Sequence, residues 1–230
     1  MKNYIAFLLA FVTIDLTQLT IGQDLNNNIQ SIYGLNPYLY NGKLYSFIVP
    51  SNVIGNQYFK STAFQLGSVR IKGIEYNSLL LNYDIFNQKV VIKYSNISGF
   101  KNIIEISDAW LEEFKIQDCN FKILQDEKKT SQIYQYFGID SLAVYIKWKK
   151  KLVLENETGL ANYVFQEPEK ELFLFSNYCL IQFKNNRSFL RLFKPAKQLL
   201  IKKYLNGHNI NLKKTNDSEI IGLVEFCNRI

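Results

Sequence analysis

The sequence predicts a mainly β fold, an antiparallel sheet, sandwich or open barrel, that ends in two short α-helices. Aromatic residues make up 15% of the chain, with 17 Phe and 15 Tyr. Such side chains, like the recurring Ile and Val, pack well on a pleated surface. Short apolar or alternating runs are separated by turn residues about every 8 to 12 positions, which is typical of antiparallel sheets. No strand–helix–strand alternation appears, so we do not expect a parallel nucleotide-binding sheet.

The N-terminus has the features of an export signal. Lys2 precedes the apolar run "YIAFLLAFV", and the small residues Thr20 and Gly22 fit a cleavage site before Gln23. The run is too short to span a bilayer, and Asp15 would make a longer span costly. We therefore predict a signal peptide over residues 1–22 and a periplasmic or otherwise extracytoplasmic protein. The alternative is an uncleaved N-terminal anchor.

The remaining chain is predicted to form a loosely ordered lead-in over 23–36 and a single β-rich domain over 37–230. Asn41–Gly42, between two aromatic-rich runs, is the strongest hairpin signal. Lys72–Gly73 predicts a second hairpin, and Asn87–Gln88 predicts a tight return after "LLLNYDIF". Alternation in that run places Asp84 beside Asn82 on one face of a strand. We expect Asp84 to accept hydrogen bonds from the turn or from a neighbouring strand.

Two helices, a helical pair at about 195–227, are predicted near the C-terminus. "PAKQLLIKKYLNG" begins with Pro195 and ends with Gly207, the residue types favoured at those positions. "TNDSEIIGLVEFCN" offers Thr215 or Asn216 as N-cap and acidic residues in its first turn. The link "INLKK" is expected to be extended, and the pair is expected to pack on one end or face of the sheet.

Residue types for metal or nucleophilic catalysis are scarce. His208 is the sole histidine and follows a helix stop, so neither a His-based triad nor a His-rich zinc site is expected. Three widely spaced cysteines (Cys119, Cys179 and Cys227) show no metal spacing. We expect three small buried side chains, the alternative being one bridged pair in an oxidising compartment. No cofactor and no metal site are predicted.

Carboxylate chemistry remains open from sequence, because two acids alone can hydrolyse glycosides. The acids that could be nominated are Asp84, Glu105, Asp108, Glu112 and Glu113. "SDAWLEEF" also fits a capped turn, with Ser107 or Asp108 as the cap. The sequence assigns no catalytic residue.

The positive charge of the chain is concentrated in one stretch. The formal net charge is +7, and the stretch from Lys184 to Lys214 contains nine Lys or Arg residues and no acid. Export argues against a nucleic-acid partner. We predict a basic face that could dock an envelope or outer-membrane protein, or an anionic lipid surface; its candidate residues are Lys197, Lys202, Lys203, Lys213 and Lys214. On the first helix, these lysines are expected to lie away from Leu200, Ile201 and Leu205.

Two stretches resemble a family of uncharacterised exported β-rich proteins common in Bacteroidetes. They are "GSVRIKGIEYNSLLLNYDIFNQKVVI" and "LLIKKYLNGHNINLKKTNDSEIIGLVEFCN". Family members have a G-x-V-x-x-x-G-x-x-Y element that leads into L-x-Y-D, then β-rich sequence and a basic helix–link–helix end. The resemblance implies an envelope location and no particular activity.

Taken together, these features predict an exported, non-enzymatic accessory or binding protein of the bacterial cell envelope. One alternative is an envelope glycan hydrolase with paired carboxylates. Another is a carrier of a small ligand or lipid inside a barrel-like cavity, which the aromatic β-rich composition would suit.

Overall fold

Thirteen strands and three helices form the described part of the chain. The structure is a computed structural model. It describes residues 36–40, 42–47, 50, 52–95, 99–125, 130–139, 142–157, 160–176 and 179–230. The predicted signal peptide (1–22) and the predicted lead-in, apart from Asn36, lie outside these residues.

Ten strands form one large antiparallel sheet, in the spatial order β13-β12-β9-β8-β7-β6-β2-β3-β4-β5. Their bounds are β2 (Gln65–Ile71), β3 (Ile74–Asp84), β4 (Lys89–Ser95), β5 (Lys101–Glu105), β6 (Leu111–Ile116), β7 (Cys119–Gln125), β8 (Ser131–Ile139), β9 (Leu142–Lys149), β12 (Glu169–Ser176) and β13 (Cys179–Phe183). A second sheet contains β1 (Val53–Ile54), β11 (Leu160–Phe165) and β10 (Leu152–Glu157), with β1 parallel to β11. The prediction of a mainly β protein is confirmed.

The hairpin prediction is right at Lys72–Gly73. At the other predicted hairpin, Asn41 lies outside the described residues, and the described part from Gly42 onward does not form the expected hairpin. Lys72 and Gly73 both have positive φ between β2 and β3, as a tight hairpin turn requires. By contrast, the segment after Gly42 pairs with the edge strand β5: the Tyr45 amide donates to Ile103, and the Glu105 amide donates to Lys43. A Cβ on Gly42 would lie 1.6 Å from the Glu105 carbonyl oxygen. A glycine at position 42 therefore allows the backbone of this segment to lie close to the backbone of β5.

One face of the large sheet carries two adjoining apolar clusters. The first is built on β2 to β8, with Tyr83 and Phe121 at its centre, and is covered by Leu39 and Phe59 from the segment before β2. The second lies on β8, β9, β12 and β13 and is covered by the helices. Trp148 packs against both clusters. On the opposite face, Tyr134 and Tyr145 pack with Phe173 in a third cluster, so these aromatic residues pack against one another.

The helices are α1 (Asn186–Leu190), α2 (Pro195–Gly207) and α3 (Asp217–Arg229). The two predicted helices are confirmed, with Pro195 in the first turn of α2 and Asn216 as the N-cap of α3. Sequence reasoning missed α1, and the link before α3 ends in a turn rather than an extended segment. In α3, Ile220, Leu223 and Val224 are buried, and α3 contacts β8 and β9. As predicted, α3 therefore packs on the sheet, and α2 joins the same apolar cluster through Ile201 and Leu205.

The three cysteines are all free, and two of them are buried. Cys119 and Cys227 are buried, whereas Cys179 at the β13 edge is exposed, so the expectation of three buried side chains is wrong for Cys179. Burial raises the pKa of the Cys227 thiol from 9.0 to about 12, although the charge of Lys197 opposes the shift. The buried thiol is therefore held in its neutral form.

This shift predicts a specific alkaline sensitivity. Between pH 9 and about 12 the unfolded chain loses the Cys227 proton while the folded chain keeps it. The contribution to stability is thus complete below pH 9 and is lost as the pH rises through the folded pKa, by at most about 1.4 kcal/mol per pH unit. We expect the stability difference between the wild type and Cys227→Ala to shrink over this range in urea titrations under reducing conditions. A constant difference would contradict the assignment.

Candidate functional site

The strongest concentration of charge in the fold lies on the helical layer at the β13 side of the sheet. We call residues Lys184 to Lys214 the basic segment; its cations are Lys184, Arg187, Arg191, Lys194, Lys197, Lys202, Lys203, Lys213 and Lys214. All nine residues are exposed. Within the described part of the chain, no carboxylate lies within 4.0 Å of any of them. The layer therefore presents positive charge that the fold does not neutralise.

Asparagine side chains set the shape of this layer. Asn185 caps α1 by accepting from the Ser188 amide, and the Ser188 hydroxyl accepts from the Asn185 amide in return. Asn186 holds the link to α3 beside α1: its side-chain amide donates to the Ile210 carbonyl and its Oδ1 accepts from the Leu212 amide. Because of this clamp, the turn that carries Lys213 and Lys214 stays next to α1.

A surface groove of about 720 Å³ runs between α1 and α2. Arg187, Arg191 and Lys202 supply its charge, and Leu190 and Leu199 supply apolar wall. The remaining lining residues are Asn186, Pro195, Gln198, Leu205 and Asn206. We call this the α1–α2 groove. With cations, amides and leucines but no acid, its chemistry suits an anionic group attached to an apolar body.

The five lysines predicted as a basic face do not all lie on one side. Lys202 lines the α1–α2 groove, whereas Lys197 is close enough to α3 for its charge to oppose the rise that burial causes in the pKa of Cys227. Lys213 and Lys214 lie in the link turn. Sequence reasoning left Arg187 and Arg191 out of the face because α1 was not predicted. Their spacing of four residues, which puts them on one side of a helix, was the available signal.

The prediction for α2 also needs one correction. Ile201 and Leu205 are buried as expected, but Leu200 is 48% exposed and Leu199 is 72% exposed. At 100° per residue, these leucines lie on the outward side together with Lys203. The outward side of α2 is therefore both cationic and apolar.

A second polar cluster joins the two apolar clusters of the sheet. Asp217, at the start of α3, accepts from Lys60 Nζ at 3.1 Å and from Gln135 Nε2 at 3.2 Å. Gln135 in turn accepts from Trp148 Nε1 at 2.7 Å, and Lys60 Nζ lies 3.4 Å from Cys119 Sγ. Burial raises the pKa of the Cys119 thiol despite the opposing charge of Lys60. A neutral thiol is a poor nucleophile, so this cluster is best suited to holding α3 against the sheet.

Asp84 is fully buried, and its carboxylate is saturated with hydrogen bonds. Oδ1 accepts from the amides of Phe86 and Asn87 at 2.9 and 2.8 Å. Oδ2 accepts from Tyr45 Oη at 2.6 Å and from Asn87 Nδ2 at 2.7 Å. Burial, reinforced by this hydrogen bond, raises the pKa of Tyr45 well above its usual value, so Tyr45 donates as a neutral phenol. The prediction that Asp84 satisfies the turn and a neighbouring segment is confirmed.

The other nominated acids are engaged by cations or backbone amides. Lys89 Nζ lies 2.6 Å from Asp108 and 3.8 Å from Glu105. Burial lowers the pKa of Lys89, but Asp108 and Glu105 outweigh that effect and raise it overall. Glu113 pairs with Arg70 and Lys122, and Glu112 accepts from the Gly73 amide. None of these arrangements leaves two carboxylates free to share a substrate.

His208 ends α2, as the sequence predicts. Its ring stacks on Tyr204, and Nδ1 lies 2.9 Å from the Tyr204 carbonyl oxygen. Within the described ranges, no cluster of three or more His, Cys, Asp or Glu side chains is arranged to bind a metal ion. Over the same residues, no helix has both the length and the apolar character needed to cross a bilayer.

Comparison with protein-family models, with curated proteins and with solved structures finds no match to this chain.

Proposed function

We propose that this protein is an exported, non-enzymatic accessory or binding protein of the bacterial cell envelope, which associates through its basic segment with an anionic envelope component. The observation that carries the proposal is the nine exposed cations of the basic segment, with no acid among them. The export part rests on the N-terminal sequence, where a charged residue, a short apolar run and a small-residue cleavage site follow one another.

The charge is distributed unevenly between the helical layer and the rest of the protein. Outside the basic segment the chain contains 18 basic and 20 acidic residues, from totals of 27 and 20. The net positive charge therefore belongs entirely to the basic segment. Such a one-sided field attracts anionic surfaces and orients the molecule as it approaches them. An outer-membrane protein with an acidic face and an anionic lipid surface both satisfy this requirement.

The hydrolase alternative has less support from the geometry. Glu105 and Asp108 are two nominated acids that line the same groove, of about 330 Å³. Both carboxylates contact the same ammonium group, that of Lys89. A shared lysine holds them as an ion triad, whereas glycoside hydrolysis needs one carboxyl group to donate a proton and the other to act on the sugar or water.

The carrier alternative requires a cavity inside the sheet. The sheet face that would line it is filled by the two apolar clusters, with side chains such as Tyr83, Phe121 and Phe189 fully buried. The α1–α2 groove lies outside the sheet, among the helices. The geometry therefore favours contact at the surface over enclosure of a ligand.

Charge reversal on the basic segment tests the proposal. We expect Lys202→Glu/Lys203→Glu to weaken association with native envelope membranes at least about tenfold, since each cation near an anionic surface contributes about 1 kcal/mol. The matched control is Lys101→Glu/Lys115→Glu, which changes the net charge equally at exposed strand positions. Association is measured by affinity purification at low and high salt, with identification of co-eluting components.

The proposal fails if the wild-type protein is recovered alone under mild, low-salt conditions. It also fails if association is unchanged at high salt, because attraction between exposed charges is screened there. Equal losses in the two double variants would show that net charge, and not the basic segment, decides association.

A further inference from the structure

The outward side of α2 exposes more apolar surface than a helix packed on a sheet needs. Such a helix normally turns its apolar residues to the core and its polar residues to water. In α2, Ile201 and Leu205 fill the core-facing side, yet Leu199 and Leu200 are also largely exposed, at 72% and 48%. Burying a leucine is favourable. Because these two leucines are adjacent on one side of α2 and border a cationic groove, they form an apolar patch that another phase or partner can cover.

The α1–α2 groove beside these leucines is built for an anion. Arg187 and Arg191 are four residues apart, a spacing at which like charges on a helix repel each other. Lys202 adds a third positive charge from α2. A bound anion would relieve this repulsion. The planar guanidinium group matches the geometry of phosphate oxygens, with two parallel hydrogen bonds.

We propose that the α1–α2 groove and the two leucines form a contact with an anionic phospholipid bilayer. The phosphate of a lipid head group binds between Arg187, Arg191 and Lys202, while Leu199 and Leu200 enter the interface between head groups and acyl chains. This inference rests on the proposed function and specifies its anionic partner. With 13 residues, α2 is about 20 Å long and lies along the surface.

The absence of acids from the basic segment suits a bilayer and an acidic protein equally, because either surface repels a carboxylate. The feature that favours a bilayer is the alternation of leucines with lysines on the outward side of α2. Long lysine stems let the ammonium groups stay at head-group level while neighbouring apolar residues lie deeper. A protein surface of discrete carboxylates would not require this alternation.

Vesicle sedimentation tests this contact. The full chain without its signal sequence is mixed with vesicles of phosphatidylcholine alone, or of phosphatidylcholine with phosphatidylglycerol. We expect binding to the second kind only. We expect Arg187→Gln/Arg191→Gln to bind about tenfold more weakly and Leu199→Ser/Leu200→Ser also about tenfold more weakly. The matched control is Leu66→Ser on β2, where the leucine is 65% exposed, and it should bind as the wild type does.

Further arms of the experiment separate the possible failures. Binding to polyglutamate but not to phosphatidylglycerol vesicles would overturn the lipid contact and leave the proposed function standing. Binding to neither would overturn both. Complete displacement from vesicles by inorganic phosphate, with no effect of the leucine variant, would mean that the groove takes free phosphate and would overturn the bilayer contact. Circular dichroism and urea unfolding of each variant establish that it folds.

Discussion

Asp84→Ala is expected to lower the free energy of unfolding by about 3–5 kcal/mol, the largest loss from a single polar substitution in this fold. The substitution leaves two backbone amides, the Asn87 side-chain amide and the Tyr45 hydroxyl without their acceptor. The site is fully buried, so water cannot replace the carboxylate without opening the turn between β3 and β4. Urea unfolding followed by circular dichroism measures the loss.

Two variants show whether the effect belongs to the buried carboxylate. Tyr45→Phe removes one of the four donors and should cost about 1 kcal/mol. Asp108→Ala removes a half-exposed partner of Lys89 and should cost less than about 1 kcal/mol. If Asp84→Ala is no more destabilising than Asp108→Ala, the network around Asp84 is not what holds the turn.

Gly138→Ala is expected to destabilise the protein by about 3 kcal/mol by displacing α3 from β8. Gly138 has a φ of +110°, in a region that side chains other than glycine rarely adopt. An added Cβ would lie 2.5 Å from Val224 Cγ1 and 2.8 Å from the Leu142 carbonyl oxygen. Backbone strain and overpacking each contribute about 1–3 kcal/mol. The measurement is the urea midpoint, with hydrogen exchange to locate the loosened helix.

Gly73→Ala is the matched control for this substitution. Gly73 also has a positive φ, at +76°, but an added Cβ there meets nothing within 4 Å. Only backbone strain applies, so we expect a loss of about 1 kcal/mol. We expect Gly138→Ala to cost less stability when it is introduced into the Val224→Ala variant than when it is introduced into the wild type, because the smaller side chain at 224 makes room for the added Cβ. Equal losses for Gly73→Ala and Gly138→Ala would contradict the packing explanation.

The sequence correctly predicted the helix ends and turns that depend only on neighbouring residues in the chain. Pro195 and Asn216 act directly on helix starts, so the start of α2 could be predicted and the N-cap of α3 could be limited to Thr215 or Asn216. Gly207 is the last residue of α2, as predicted, but the residue with positive φ beyond the helix is Asn209. Lys72–Gly73 likewise sets its own turn. At Gly42 the same kind of signal failed, because approach to the Glu105 carbonyl, 63 residues away in the sequence, decides what the glycine does. No local pattern contains that contact.

The candidate site was predictable in charge but not in shape. The nine cations and the absence of acids can be counted from the sequence. The groove depends on α1, which has only five residues and is stabilised mainly by its capping box and by the burial of Phe189. The outward position of Leu200 depends on which side of α2 faces the apolar cluster. Helical periodicity limits that choice, but the packing partners decide it.

The order of strands in the large sheet has a consequence for how the chain folds. Seven of the nine pairings in this sheet join strands that follow one another along the chain; β2 with β6 and β9 with β12 are the exceptions. Hairpins between successive strands form in about 1–10 μs. The two exceptions must first close longer loops, which costs chain entropy before any stabilising contact between the strands forms. We therefore expect the rate-limiting step of folding to lie at these two junctions, where preformed hairpins meet, and not in the formation of any single turn.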